Sequence, residues 1–452
     1  MEHKFINPVE TRYRTELAEL FTEDKKLEYW LKVEAVLAKA HAKLGNIPQD
    51  AAMEISKKAN LKYVKLNRVK EIDNEIHHDL MAMVKALSEQ CDGSAGNYVH
   101  LGATSYDIED TATALQLREA LTNTIESLRK LLAALIKVIE DKKHLVCIGR
   151  THGQHAIPTT YGMRFSVWAY EIDRHLDRLK ETLNRISFGK MSGAVGTMAS
   201  FGEKGIEIQN FIMKELDLHP ALITNQIIQR DRHAEVIFLT TLIGQSLAKI
   251  SRQFRVLQRN EIAEMFEPFK KSQVGSSTMP HKRNPHKSER ICSLARILKS
   301  NIIPALDNIV LEDERDLTNS ANERIIFSEN FILLDYMIIQ LTKNIEEVEF
   351  DEIKIEENLN LTKGAFLSEK VMVNLVKKGI GRQEGHEILR NAAIKAKQEN
   401  RILKEILIKN PNIAEVFTKT EIDDLLNPHK YLGKAVEQTE NILKFLKNKY
   451  QL

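Results

Sequence analysis

The segment at residues 275–285 combines residue types that could remove a proton from carbon. It reads Gly-Ser-Ser-Thr-Met-Pro-His-Lys-Arg-Asn-Pro. Each proline lacks a backbone N–H and restricts the residue before it, so the segment is predicted to be a loop, with a helix starting after it. Ser276 or Ser277 could act as a base if cations and backbone N–H groups stabilised its alkoxide. Lys282 and Asn284 could stabilise charge developing on a carboxylate. A plain surface loop is the alternative, which the density of polar groups disfavours.

The segment at residues 149–155 offers a proton donor. It reads Gly-Arg-Thr-His-Gly-Gln-His. An imidazole can protonate a leaving nitrogen near neutral pH, and His152 is the candidate. His152 and His155 could instead bind a metal, but no cysteine or carboxylate lies close by in the sequence, which makes a metal the weaker hypothesis.

Two further segments carry polar groups suited to substrate binding. Residues 75–79 read Glu-Ile-His-His-Asp, and a carboxylate next to a histidine can hold the histidine in one tautomer. On a helix, His77 and His78 would point in different directions, so we expect one to face the site and favour His78; a solvated helix face is the alternative. Thr104 and Ser105 precede a long helix, where hydroxyls and backbone N–H groups bind anions or cap the helix.

Three basic segments could bind carboxylate or phosphate groups, because arginine forms paired hydrogen bonds with both. They are Arg12-Tyr13, Gln229-Arg-Asp-Arg-His233 and the segment from Glu314 to Arg324. In the last of these, Arg315, Ser320 and Arg324 fall at spacings that one side of a helix can present. A charge pair between Glu314 and Arg315 within a helix is the alternative.

Long helices are expected to position these groups. Between residues 106 and 148 there is neither glycine nor proline, and apolar residues recur at steps of three and four, which predicts a helix of roughly 35 residues. Residues 163–188 and 221–243 are predicted to form two more helices, and residues 305–363 a helical span too long for one helix. The fold class is therefore predicted to be all-α, with a central bundle of long helices and no large sheet.

We expect three helical domains, at residues 1–95, 96–355 and 356–452, with the loop at residues 272–287 in the second. The bulk composition is that of an ordinary soluble protein, with 43% hydrophobic and 28% charged residues among 452. A net charge of +2 argues against a nucleic-acid-binding surface.

The first eight residues show no apolar run behind a basic start, so no secretory signal is expected. No apolar stretch is expected to cross a bilayer; the best, Leu131 to Ile139, is interrupted by Lys137. The three scattered cysteines give neither a disulfide framework nor metal-ligand spacing, which favours a cytoplasmic protein with no metal.

Taken together, these segments resemble the fumarase/aspartase superfamily through the loop at residues 275–285, and the adenylosuccinate lyase family through the flanking segments. The discriminating segments are Arg12-Tyr13, His77-His78-Asp79, Thr104-Ser105, Gln229 to His233, and Glu314 to Arg324. The resemblance implies elimination of fumarate from adenylosuccinate, giving AMP, and from the succinylated aminoimidazole carboxamide ribotide. It further implies a nucleotide substrate, no cofactor, and a homotetramer with sites shared between subunits.

The resemblance also implies roles for individual residues. Those assigned to catalysis are Ser276 as general base, His152 as general acid, His78, Lys282 and Glu289. Those assigned to substrate binding are Arg12, Tyr13, His77, His78, Asp79, Thr104, Ser105, Gln229, Ser277, Lys282, Arg283, Asn284, Arg315, Ser320 and Arg324. The sequence departs from many similar sequences at Arg290, where they have asparagine, and residues 319–322 mix patterns from different branches.

Two competing interpretations remain at this point. Another superfamily lyase or cycloisomerase, such as 3-carboxymuconate cycloisomerase, has a nearly identical loop but should not need the phosphate-binding arginines. A non-catalytic structural protein on the same scaffold is the second, and the presence of Ser276, His152, Lys282 and Asn284 argues against it.

Overall fold

The structure is a computed structural model that describes residues 7–269 and 272–451. Helices make up 67% of it, and the strands are few and short. The predicted all-α fold class is therefore confirmed. The expectation about a secretory signal rests partly on residues 1–6, which lie outside the described residues.

Eighteen α-helices occur within the described residues. The first nine are α1 (Glu23–Lys43), α2 (Gln49–Lys58), α3 (Leu66–Ile76), α4 (Asp79–Gln90), α5 (Ser105–Lys142), α6 (Tyr161–Ile186), α7 (Gly205–Glu215), α8 (Asp231–Leu257) and α9 (His286–Ser300). The remaining nine are α10 (Ile302–Asp307), α11 (Ser320–Glu346), α12 (Glu352–Asn360), α13 (Ser368–Lys377), α14 (Arg382–Gln398), α15 (Leu403–Ile408), α16 (Pro411–Ala414), α17 (Lys419–Leu425) and α18 (Ala435–Tyr450).

Three small sheets complete the architecture, each of two strands. Their strands are β1 (Val146–Thr151), β2 (Gln154–Thr160), β3 (Phe188–Gly189), β4 (His219–Pro220), β5 (Met265–Phe266) and β6 (Glu349–Phe350). β1 and β2 form an antiparallel hairpin in which Val146 lies opposite Thr160 and Thr151 opposite Gln154. β3 pairs with β4 in parallel, and β5 pairs with β6 in antiparallel.

The chain forms two compact units. Unit 1 comprises residues 1–129, 175–247 and 291–339, and unit 2 comprises residues 130–174, 248–290 and 340–452. The boundaries between the units fall within α5, α6, α8, α9 and α11. The division into three consecutive domains made from the sequence remains a prediction.

The predicted long helices are largely confirmed. α5 has 38 residues and begins at Ser105, next to the expected cap at Thr104. α6 starts two residues before the predicted residue 163 and ends two before residue 188. The span at residues 305–363, predicted to be too long for one helix, contains the end of α10 together with α11 and α12.

The helix predicted over residues 221–243 was wrong at its start, because α8 begins only at Asp231. Residues 221–230 contain no glycine or proline, yet tertiary contacts hold them out of a helix. The backbone N–H of Ile228 donates to Asp110 at 2.7 Å, and the side chain of Arg230 donates to the same carboxylate at 2.9 Å. A buried charge network thus outweighs local helix propensity here.

Unit 1 has an apolar core built from α1 to α4, the start of α5, and α7. In its bundle, Thr241 of α8 donates to the carbonyl of Leu298 in α9 at 2.8 Å. Gly244 permits this close approach, because a Cβ at that position would lie 2.5 Å from Leu298 Cδ1. In unit 2, α13 to α17 enclose a second core that includes Leu375, Leu389 and Leu403.

One helix of the described residues, α11, is long and apolar enough to cross a membrane by length and composition alone. The expectation that no apolar stretch approaches this length, with Leu131 to Ile139 as the best, was wrong. In α11, 72% of the most apolar 18-residue window is buried inside the protein. The core helix of a soluble protein meets the same criterion.

Candidate active site

A cavity of about 750 Å³ in unit 1 collects many of the predicted binding residues. Its walls are the α3–α4 junction, the first turn of α5, the loop before α11 and the first turns of α11. The lining residues are Asp73, His77, His78, Asp79, Ser105, Tyr106, Glu109, Arg315, Leu317, Ser320, Ala321, Arg324 and Ile325. We call it the unit 1 cavity.

The two histidines lie at a helix junction, and the expectation that they lie on one helix was wrong. His77 ends α3 in the left-handed conformation, with φ of 54°, and His78 is the N-cap of α4. This break allows both side chains to line the unit 1 cavity. His78 Nδ1 accepts the N–H of Met81 at 3.4 Å, and its Nε2 lies 3.5 Å from Ser105 Oγ.

The start of α5 is fixed by the carboxylate of Asp107, which is fully buried. It accepts backbone N–H groups from Thr104 at 2.8 Å, Ser192 at 2.8 Å and Gly193 at 3.1 Å. It also forms an ion pair with Lys190, which is likewise fully buried. The turn that presents Ser105 to the cavity is therefore held by a satisfied charge beneath it.

Arg315 offers unpaired donors close to the unit 1 cavity. It precedes α11, so the expectation that it shares a helix face with Ser320 and Arg324, or pairs with Glu314 within a helix, was wrong. Its guanidinium carbon lies 3.5 Å from the centre of the Tyr106 ring, and its Nη1 donates to Gln226 at 2.9 Å.

The other two Arg315 nitrogens have no hydrogen-bond partner in the part of the chain that the structure describes. Its Nε and Nη2 are buried and have no hydrogen-bond partner among the described residues. A buried unpaired donor is costly, so these atoms favour an anionic ligand. Nearby, the Tyr106 hydroxyl donates to Ser320 Oγ at 3.2 Å, and Arg324 Nη2 lies 3.1 Å from Asp79 Oδ2.

Four predicted binding residues of unit 1 are not among the residues that line the cavity. Arg12 is exposed, and the Tyr13 ring packs edge to face against Tyr336 at 5.2 Å. The backbone N–H of Thr104 donates to Asp107 at 2.8 Å, and the Gln229 amide donates to Asn225 at 3.2 Å. Their assignment to substrate binding stays a prediction.

Sequence reasoning missed a buried charge network that joins Arg230 to α5 and α11. Arg230 donates to Asp110 at 2.9 Å and to Glu323 at 2.9 Å. Arg230 lowers the pKa of Asp110, whereas burial raises the pKa of Glu323. In the sequence, Arg230 is only one residue of a basic segment; its carboxylate partners lie more than 90 residues away, so no local pattern reveals them.

The candidate acid, His152, lies in unit 2 at the tip of the β1–β2 hairpin. His152 and Gly153 both have positive φ, of 54° and 76°, as a two-residue hairpin turn requires. His152 is exposed. For the alternative metal site, the described residues contain no group of three or more His, Cys, Asp or Glu side chains placed to share an ion.

Glu264 anchors this hairpin and was not foreseen from the sequence. Its buried carboxylate forms an ion pair with Arg150 of β1 and accepts the Tyr161 hydroxyl at 2.6 Å. The Asn358 amide donates to it at 2.9 Å. These contacts lower the pKa of Glu264 against the effect of burial, so the carboxylate is held ionised beneath the hairpin.

The loop at residues 272–287 also lies in unit 2, and two of its backbone N–H groups donate to the side chain of Ser276. Ser276 Oγ accepts the backbone N–H of Met279 at 3.1 Å and of Thr278 at 3.3 Å. Ser277 Oγ is exposed and lies 3.5 Å from Thr278 Oγ1. Two N–H groups aimed at one hydroxyl oxygen favour its negatively charged form.

The base of the loop is closed by a tight backbone contact. A Cβ at Gly275 would lie 2.0 Å from the carbonyl oxygen of Lys282, and the Asn284 amide donates to the Gly275 carbonyl at 2.9 Å. Lys282 is exposed, and Arg283 lies over the Phe269 ring at 5.1 Å.

The predicted helix after the loop is α9, and Glu267 caps it. The buried carboxylate of Glu267 accepts backbone N–H groups of Lys287 at 3.2 Å and Ser288 at 3.0 Å. Glu289, assigned from the resemblance to orient the acid, is exposed in the first turn of this helix.

Comparison with known proteins agrees with this fold and these segments. Residues 11–297 match the family model described as "Lyase", and residues 364–442 match that of the adenylosuccinate lyase C-terminus. The long-helix fold and the serine-bearing loop therefore define a lyase of the fumarase/aspartase superfamily.

Curated relatives narrow this class. Adenylosuccinate lyase of Methanocaldococcus jannaschii is 51% identical over 99% of this chain and 97% of its own length. That of Pyrococcus abyssi is 52% identical over 98% of both. The chain belongs to the adenylosuccinate lyase family.

A similar solved structure is the 3-carboxy-cis,cis-muconate lactonizing enzyme of Pseudomonas putida. Its TM-score is 0.89 at 29% identity, covering 98% of this chain and 99% of that one. The fold is thus shared by enzymes of different reactions, and the substrate has to be argued from the site.

Proposed function

We propose that this protein is an adenylosuccinate lyase, which eliminates fumarate from adenylosuccinate to give AMP. The same site is proposed to cleave the succinylated aminoimidazole carboxamide ribotide of purine biosynthesis. The observation that carries the proposal is Arg315, which lines a cavity together with Ser320 and Arg324 and has two buried donors without a partner among the described residues. Such a set suits the phosphate that both substrates carry.

The proposed chemistry begins at Ser276. Its alkoxide removes a proton from the carbon next to a substrate carboxylate, and the electron pair moves into that carboxylate as a dianion. Lys282 and Asn284 are proposed to stabilise this charge. The pair then returns to form the double bond of fumarate as the carbon–nitrogen bond breaks. His152 protonates the departing nitrogen, with Glu289 orienting it.

The two backbone N–H groups on Ser276 Oγ support this choice of base. Because the substrate carboxylate accepts the charge, the steps require no cofactor. The remaining assigned residues are proposed to bind substrate. Its phosphate is proposed to be bound chiefly by Arg12, Tyr13, Arg315, Ser320 and Arg324. Its succinyl part is proposed to be bound by Thr104, Ser105 and Gln229. His77, His78, Asp79, Ser277 and Arg283 are proposed to complete the contacts.

We further propose a cytoplasmic homotetramer whose sites are shared between subunits. Large apolar side chains on the helices of unit 1 support association, because a monomer would leave them in water. They are Phe238 of α8, Ile297 of α9, Ile303 and Leu306 of α10, and Ile325 of α11, which are 41–67% exposed. The nearly neutral net charge supports neither nucleic-acid nor membrane partners.

The test is an ultraviolet assay of purified protein with adenylosuccinate, alongside 3-carboxymuconate as the phosphate-free competitor. We expect conversion of adenylosuccinate to AMP and fumarate, and loss of that conversion in His152→Ala. Turnover of the muconate alone would contradict the proposal and support a cycloisomerase, which the Pseudomonas putida structure makes the second candidate. Turnover of neither by a folded tetramer would favour a structural protein.

A further inference from the structure

Glu109 has a position on α5 that none of the assigned roles explains. It lines the unit 1 cavity and also a second cavity of about 310 Å³ between α1, α5 and α11. The residues that line both cavities are Tyr106, Glu109, Ser320 and Arg324. Two of these four belong to the proposed phosphate-binding set, so Glu109 lies beside the groups expected to hold an anion.

The charged neighbours of Glu109 are already paired with one another. Asp79 forms ion pairs with Lys26 of α1 at 3.5 Å and with Arg324 of α11 at 3.1 Å. Asp110 is paired with Arg230. Glu109 itself makes no hydrogen bond or ion pair with any residue that the structure describes, although Lys26 and Arg324 act on it through space.

This arrangement sets the charge state of Glu109. Burial and the negative charge of Asp79 raise its pKa, Lys26 and Arg324 oppose the rise, and the result is a pKa of about 7. Near neutral pH, the side chain therefore alternates between a neutral acid and an anion that has no direct ion pair among the described residues.

We propose that Glu109 determines the affinity of the unit 1 cavity for anionic nucleotides, which bind when it is protonated and are repelled when it is ionised. The proposal rests on the proposed function for the identity of the ligand. A phosphate placed at Arg324 would meet ionised Glu109 as a like charge in a half-buried setting, where Coulomb repulsion is weakly screened.

Other groups around Glu109 also carry charge, and the experiment has to separate them. They are Glu23 and Lys26 of α1, His77, His78 and Asp79 at the α3–α4 junction, Asp110 of α5, Arg230, Arg315, and Glu323 and Arg324 of α11. Histidines and phosphate monoesters in general also titrate near neutral pH. A variant that changes Glu109 alone leaves all of these in place.

The experiment measures KM and kcat for adenylosuccinate between pH 6 and 8.5 in wild type, Glu109→Gln and Glu109→Ala. Between pH 6 and 8.5, we expect the KM of wild type to rise about tenfold more than the KM of either variant, because both variants lack the carboxylate charge of Glu109. The kcat profiles should be parallel. Glu126→Gln, an exposed carboxylate on the same helix, is the matched control and should follow wild type.

Calorimetric titration with AMP at pH 6 and 8.5 provides a readout that needs no turnover. Superimposable profiles of KM and of AMP affinity in wild type and Glu109→Gln would overturn this inference while leaving the proposed function intact. Absence of adenylosuccinate turnover in wild type would instead contradict the proposed function, and AMP binding would still decide the role of Glu109.

Discussion

Ser276 and Ser277 are adjacent hydroxyls in very different surroundings. Only Ser276 Oγ receives two backbone N–H groups, from Thr278 and Met279. An alkoxide is far more sensitive than a neutral hydroxyl to such donors, because they act on a full charge. The sequence left the choice between the two serines open, and the hydrogen bonds favour Ser276.

We predict that Ser276→Ala lowers kcat by about 10²–10⁴-fold, the usual contribution of a general base. Ser277→Ala, the matched control in the same loop, should lower kcat by less than about tenfold, since its hydroxyl receives no comparable donors. Steady-state assays with adenylosuccinate measure both. A larger loss in Ser277→Ala would transfer the role of base to Ser277.

The charge of Glu109 should also affect stability. Its pKa is about 7 in the folded protein against an ordinary 4.5. Between these values the unfolded chain loses the proton while the folded protein keeps it, so wild-type stability falls as pH rises through this window. Below pH 4.5 both states are protonated, and this loss is absent.

We therefore predict that Glu109→Gln is more stable relative to wild type at pH 8 than at pH 4.5. The gain should be at most about 3 kcal/mol, since one pKa unit corresponds to about 1.4 kcal/mol. Urea unfolding at the two pH values measures it. The same difference in unfolding free energy at both pH values would show that the group is not titrating as described.

Residue types in short segments were enough to predict Ser276, His152 and the histidine pair as candidates. They could not indicate Glu109 or Arg230, because the properties of these side chains come from partners distant in sequence. Arg230, for example, lies just before α8 and is buried against Asp110 of α5 and Glu323 of α11. Burial and pairing across helices have no signature in a local pattern.

At the scale of elements, helix existence was easier to predict than helix boundaries. The absence of glycine and proline marked α5 well, but it gave the wrong start for α8, where contacts to Asp110 hold residues 221–230 out of a helix. The break at His77 was also missed, because a left-handed residue other than glycine at a helix end leaves little trace in sequence. That break is what turns two adjacent histidines toward one cavity.

The closed base of the loop gives a prediction for Gly275. In Gly275→Ala, the new methyl group would overlap the Lys282 carbonyl, so the base must open and Ser276 must shift. We expect kcat to fall by about 10–100-fold, as small misplacements of reacting groups do. The thermal midpoint should change by less than about 2 °C, since the loop is largely exposed.

Gly381→Ala is the control for Gly275→Ala, because a Cβ at Gly381 meets nothing within 4 Å. Its kcat should match wild type. Full activity in Gly275→Ala would show that the close contact between residues 275 and 282 is unnecessary for the reaction.

At the scale of the whole molecule, the proposed residues fall in two compact units, with Arg12 in unit 1 and His152 and Ser276 in unit 2. If these residues reach one site from different chains, an intact site can form from two defective proteins. We predict that Arg12→Ala and Ser276→Ala, each inactive alone, regain activity after mixing, partial unfolding and reassembly.

The recovery should approach about a quarter of wild type, because in an equal mixture each of two required chains is intact half the time. Ser276→Ala alone, taken through the same partial unfolding and reassembly, provides the baseline activity. Persistent inactivity of the mixed tetramer, with reassembly verified by sedimentation, would contradict shared sites.

The carboxylate of Asp107 has a consequence for the lifetime of the structure around it. It accepts hydrogen bonds from the backbone N–H groups of Thr104, Ser192 and Gly193, and releasing any one of these segments would remove a donor from a buried charge paired with Lys190. In deuterated water, loop amides normally exchange within a short time, yet these three should exchange as slowly as the helical core. The segments at Thr104, Ser192 and Gly193 should therefore be among the most persistent parts of the structure, whereas the loop at residues 272–287 is largely exposed.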